Sequence, residues 1–202
     1  AAAGNMNHRQ LAELAEQHFG GLARTNFSAL TDGVTPEAVP AITLSHKEEL
    51  EQSHLLMGVP CVSAVSDDRY VCHLLSVILG GGMSSRLFQS VREERGLVYT
   101  IYAAVNPFFD CGNLNIYAAT SAERMTETIE ATLNEIRRLR QHQIGEPELR
   151  RNKEQLKASL MLNLESTSSR MSSLAHSEMT FGRNMTPEEV IDAVEAVTVE
   201  DL

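Results

Sequence analysis

Arg92 and Tyr99 carry the donor chemistry that stands out in this sequence. They are separated by seven positions across one tight turn. Arg92 closes a segment with helical apolar spacing, and Tyr99 opens one that alternates as a strand does. That placement can bring a guanidinium, with its planar fork of N–H donors, and a phenol to one surface. The residues also admit a plainer reading. Arg92-Glu93-Glu94-Arg95 suits a solvated helix end with weak exposed ion pairs, and Tyr99 suits a strand tyrosine that packs its ring.

Other spacings come close to known chemistry and miss. A helical H-x-x-E-H binds zinc through two histidines and uses its glutamate as base. Here His46-Lys47-Glu48-Glu49 is followed by Leu50, so the second ligand is absent. Cys72 and His73 are neighbours within a helical pattern, where adjacent positions point about 100° apart, a poor nucleophile–base geometry. His54 on an apolar strand and His176 on a helix read as structural histidines. Gly80-Gly81-Gly82 precedes a helical pattern, but Met83-Ser84-Ser85-Arg86 lacks the Lys-Ser/Thr of a phosphate-binding loop, and the glycines follow a helix. No catalytic residue and no metal ligand is assigned within this chain.

The elements around the Arg92–Tyr99 pair follow from the pattern. Gly80 to Gly82 end a helix opened at Asp67-Asp68 and supply positive φ angles. Ser84 and Ser85 cap the next helix, whose inward face holds Leu87, Phe88 and Val91, and Gly96 stops it at C′. Residues 98–105 form a strand with Tyr99 and Ile101 on one face and Tyr102 on the other. Residues 113–119 form its antiparallel neighbour, and residues 53–59 are a buried strand ended by Pro60. Ser121 caps a long helix carrying Met125, Ile129, Leu133, Ile136 and Leu139 at a 3.6-residue period. Glu146-Pro147 opens a second long helix with a kink in the serine-rich region 166–169, and Thr186-Pro187-Glu188-Glu189 reads as a capping box. Thr198 begins a further helix. Strands followed by long helices imply an α+β fold with a largely antiparallel sheet covered by helices.

Upstream, residues 1–5 read as a strand end and residues 8–19 as a helix with Leu11, Leu14, Ala15 and Phe19 on one face. Residues 22–45 show no period and read as a linker. The division is therefore residues 1–21 as the last βα unit of a preceding domain, 22–45 as linker, and 46–202 as a second domain cut short at its end. A chain of 202 residues with 43% apolar content can bury a substantial core. Its net charge of −10 argues against nucleic acid, and no apolar run reaches membrane-spanning length. Cys61, Cys72 and Cys111 are odd in number and lack C-x-x-C spacing, which fits reduced thiols in the cytoplasm; the periplasm is the second option.

The block Leu79-Gly80-Gly81-Gly82-Met83-Ser84-Ser85-Arg86-Leu87-Phe88, with Val91-Arg92-Glu93-Glu94-Arg95-Gly96-Leu97-Val98-Tyr99, resembles the second half of the pitrilysin/insulinase zinc metallopeptidases. That family is related to the mitochondrial processing peptidases. Glu51-Gln52-Ser53-His54-Leu55, Asn163-Leu164-Glu165-Ser166, Phe181-Gly182-Arg183 and Val197-Thr198-Val199-Glu200-Asp201 support the match. The resemblance implies two α+β halves around a closed chamber, with zinc in the first half and none bound by this one. It implies that Arg92 and Tyr99 hydrogen-bond the backbone of a peptide substrate lying in the partner half's zinc cleft. The implied partners are that zinc-bearing half, on the same chain or a separate subunit, and a peptide; a homodimer is compatible. The parent is then a zinc endopeptidase of which this part alone is inactive. The rival readings are a structural or binding subunit with no activity, and a phosphate-binding module.

Overall fold

The computed structural model describes residues 1–22 and 38–202. Most of the expected linker, residues 23–37, lies outside the described residues; residues 38–45 are exposed and have no regular structure. The described elements are α1 (His8–Phe19), β1 (Ser53–Cys61), α2 (Arg69–Gly80), β2 (Thr100–Pro107), β3 (Gly112–Thr120), α3 (Met125–Gln141), α4 (Glu146–Glu165), α5 (Thr167–Phe181) and α6 (Pro187–Ala196). A π-helical turn, Phe88–Glu93, lies between α2 and β2.

The three strands form one antiparallel sheet in the order β1-β3-β2. Its pleat sorts residues by face, with Leu55, Met57, Ile101, Ala103, Leu114, Ile116 and Ala118 turned to the core. On this face they meet Leu79 from α2, Leu87 and Val91 from the π turn, and Ala131, Ile136 and Leu139 from α3. The opposite face carries Leu56, Tyr102 and Tyr117 in one register row, the two tyrosine rings stacked at 5.1 Å. A second apolar cluster lies behind α2, where Leu74 and Ile78 meet Ile144, Leu149, Val194 and Val197. Helix α2 thus serves both cores, and helices cover one face of the sheet.

Several local expectations need correction. The strand at residue 53 does not stop at Pro60; it pairs through Cys61, because β1 is an edge strand and a missing N–H is tolerated there. It is also half-exposed, with Leu56 on the open face. Residues 1–7 form no strand with any described residue. Ser121 makes no capping bond, and α3 instead begins through a 3₁₀ turn, Ala122–Arg124. The stripe buried most fully on α3 is Thr128, Ala131, Thr132 and Glu135 rather than the larger apolar residues beside it. The kink becomes a break, with extended Ser166 ending α4 and capping α5 through its hydroxyl. Thr198 heads a turn closed by Asp201, whose carboxylate accepts from the Thr198 amide at 2.7 Å. The Thr186–Glu189 capping box forms in both directions.

The three-glycine run works differently from the expectation too. None of Gly80, Gly81 and Gly82 has a positive φ. Gly80 lies within α2, where a Cβ would sit 2.8 Å from the Ala103 Cβ and nearer still to the Ala103 amide nitrogen. Its contribution is close approach of helix to strand. Gly80→Ala should therefore destabilise the protein by about 3 kcal/mol, because the obstructing atoms are backbone. That outweighs the gain in helix propensity of about 1 kcal/mol. Urea unfolding measures it, and a variant at least as stable as the parent would contradict the close-packing account.

Candidate functional site

The stretch that presents Arg92 is anchored at its start by polar contacts. The Ser85 hydroxyl donates to the Gly82 carbonyl, so Ser85 closes a turn and does not cap the helix as its type suggests. Gln155 of α4 donates to the Gly81 carbonyl at 3.0 Å, and the Gln89 side-chain amide to Met83 at 2.6 Å. Arg86 makes a two-pronged bond to Glu148 of α4, at 2.9 and 2.7 Å. With both side chains about four-fifths buried, this pair is a firmer tie than a surface ion pair.

Leu87 and Val91 then drop into the core, and the chain between them widens into π-helix. The Glu94 amide bonds to the Gln89 carbonyl at 2.9 Å, five residues back. Such turns recur at functional sites because they rotate a side chain away from its α-helical direction. Phe88 is a correction: it is only half-buried and belongs to neither apolar cluster. Its ring faces the Arg92 guanidinium instead, 4.6 Å from centroid to carbon.

The link from Arg92 to Tyr99 is clamped along its length. Gly96 takes φ +60°, its amide bonds to the Arg92 carbonyl, and the Leu97 amide bonds to Val91, both at 3.0 Å. Left-handed Gly96 thus closes the helix end, the role expected of it, with bonds one residue wider than those of a Schellman motif. Thr120 at the end of β3 donates to the Leu97 carbonyl, and Arg124 donates to the Gly96 carbonyl. The Tyr99 amide bonds to Ala119 at 2.8 Å. Tyr99 lies one residue before β2 and is 63% exposed, whereas Ile101 is buried, so the two do not share the inward face. Arg92 is exposed as well. Neither side chain makes a hydrogen bond or ion pair among the described residues. The site is thus two uncommitted donors at the ends of a short, immobilised connector.

The remaining chemical groups have ordinary roles. Burial pushes the Cys72 thiol up to about 11, and the adjacent Cys61 adds to the rise, so it holds its proton at neutral pH. His73 reaches solvent, yet surrounding protein lowers its pKa below the usual imidazole value. His54 is engaged by the Tyr117 hydroxyl at 2.7 Å. Among the described residues no three of His, Cys, Asp or Glu come together, so the donor set does not fit zinc. An apolar cavity of about 320 Å³ between α2, α4 and α6 includes neither Arg92 nor Tyr99. No described helix is long and apolar enough to cross a membrane.

The sequence profile of the family described as "Peptidase M16 inactive domain" matches residues 1–156. The chain belongs to this family. An uncharacterized zinc protease of Mycobacterium tuberculosis is 37% identical over 212 residues, covering 100% of this chain and 47% of the relative. One of Bacillus subtilis is 41% identical over 160 residues, covering 78% of this chain and 38% of its own length. The chain thus spans about half the length, or less, of these curated relatives. Among solved structures, a Helicobacter pylori protease has TM-score 0.76 at 19% identity, covering 98% of this chain and 49% of that one. The M16 inactive domain from Pseudomonas fluorescens has TM-score 0.67 at 24% identity, covering 74% and 36%. These two show the shared fold.

In this M16 domain the Arg86–Glu148 tie makes a pH prediction. Hydrogen bonding to Arg86 lowers the Glu148 pKa from its ordinary value of 4.5. A depressed folded-state carboxylate contributes stability that is present above 4.5 and lost as pH falls through the folded value. Glu148→Gln should cost about 1–3 kcal/mol near neutrality and flatten the acid limb of stability. Urea unfolding from about pH 7 to about pH 3 measures both, and an unchanged acid limb would contradict the assignment.

Proposed function

We propose that this chain is the substrate-positioning half of an M16 zinc endopeptidase, completing a closed chamber with a zinc-bearing half that holds the catalytic residues. The observation that carries this reading is the pair of uncommitted donors, Arg92 and Tyr99, on one clamped connector. Leaving both in solvent adds nothing to the fold, whereas two fixed guanidinium bonds suit peptide carbonyls and read no sequence. A phenol can donate to a carbonyl oxygen as negative charge develops on it. Relatives named zinc proteases, twice the length of this chain, support a partner half that supplies the metal.

Helix α1 supports the same arrangement. Its apolar residues Leu11, Leu14 and Phe19 are 39%, 53% and 66% exposed, and the helix buries no residue. A face of this kind is suited to a seat against the first half, as the last unit of that domain.

The test uses the full protein, or this chain with its partner half. Tyr99→Phe should lower kcat by about 100-fold, the usual scale for one lost donor to a developing oxyanion. Arg92→Ala should raise KM by roughly 10- to 100-fold. Zinc content, measured by elemental analysis, should match the parent in both. If both variants cleave peptides at the parent rate, the positioning role is wrong, and a structural subunit becomes the better reading.

A further inference from the structure

We infer that Phe88 is a positioning residue: its ring holds the Arg92 guanidinium face-on, so that the N–H edge is presented to the peptide. The inference rests on the substrate-positioning reading above. Phe88 lies between two core residues, Leu87 and Val91, yet is absent from both apolar clusters. The Arg92 guanidinium carbon is 4.6 Å from its ring centroid, within the range of a cation–π contact.

Arg92 follows Phe88 by four positions, a spacing that makes the two side chains neighbours on one helical face. The choice of partner matters chemically. A carboxylate would bind Arg92 along its N–H edge and occupy the donors that a peptide carbonyl needs. Glu93 and Glu94 are adjacent in sequence, yet among the described residues neither pairs with Arg92. An aromatic ring binds the guanidinium face and leaves the in-plane donors open. It also restrains a long side chain before substrate arrives, which reduces the ordering cost of binding.

The test uses purified full-length protein, or the two halves together, cleaving a fluorogenic peptide. Phe88→Leu keeps an apolar side chain and removes the π face; KM should rise about two- to five-fold with kcat, zinc content and melting temperature unchanged. Phe88→Tyr should restore the parent KM. Added to Arg92→Ala, Phe88→Leu should change nothing further. A parent KM in Phe88→Leu overturns the inference while the substrate-positioning reading stands. An equal KM rise with or without Arg92 also overturns it, pointing to a direct substrate contact by Phe88. If Arg92→Ala itself cleaves at the parent rate, Arg92 has no substrate contact and the role of Phe88 fails with it, while Tyr99→Phe still tests the substrate-positioning reading. Proton NMR of the parent checks the geometry apart from activity: the Arg92 side-chain resonances should be shifted upfield by the ring, and unshifted resonances overturn the contact.

Discussion

The closeness of α2 to β2 governs this structure. The last turn of the helix lies against the backbone of Tyr102 and Ala103, a contact open to glycine and closed to any residue with a Cβ. With the helix flush on the sheet, Leu79 enters the same core as Ile101 and Ala103, and the chain emerging from α2 is already beneath the strand it must join. Leu87 and Val91 follow into that core, both completely buried. Dispersion and burial at these positions fix the path of the backbone. Arg92 is exposed because Val91 is not.

Polar ties then refine what packing has placed. The carbonyls of Gly96 and Leu97 would be partly buried without partners at the helix end, and Arg124 and Thr120 reach across from the end of β3 to satisfy them. Both donors come from the strand–helix junction that follows the sheet's central strand, so the Arg92–Tyr99 connector is tied to the end of β3. The Arg86–Glu148 pair performs the corresponding task on the other side, fixing the loop to α4. The recognition surface proposed for Arg92 and Tyr99 would need such ties, because a misplacement of about 1 Å can cost as much as losing a contact.

Much of this was legible from residue types. The 8–19 helix, the Gly96 closure, the Thr186–Glu189 box, the antiparallel 98–105 and 113–119 pair, and the exposed placement of Arg92 each follow from a local rule that tertiary packing does not oppose. The α+β class and its family membership follow too. The misses share a cause: they depend on what lies across space. A π turn has no residue signature distinct from an α turn, and residue type places Phe88 in the core with Leu87 and Val91, whereas the structure leaves it half-buried. The glycines' role depends on β2 lying above them. Pro60 is tolerated because β1 is at the edge, and strand order is not a property of the strand's own sequence. Tyr99 has the parity of Ile101 but stands outside the ladder, where parity no longer sorts faces.

The division of labour proposed for Arg92 and Tyr99 explains why they are simple donors without a nucleophile or base beside them. The Cys72 thiol on α2 keeps its proton, and the His54 imidazole on β1 is held by Tyr117. A half that only positions substrate gains nothing from reactive groups near the peptide, since a second base or ligand would compete for the metal or the water held by its partner. What it needs is directional donors that are rigid before the substrate arrives and tolerant of any side chain. A guanidinium resting on a ring and a phenol fixed by its own backbone bond to β3 meet both conditions. Neither Arg92 nor Tyr99 lines the apolar cavity; a cavity selects side chains, whereas the two donors proposed to contact substrate would grip the backbone all peptides share.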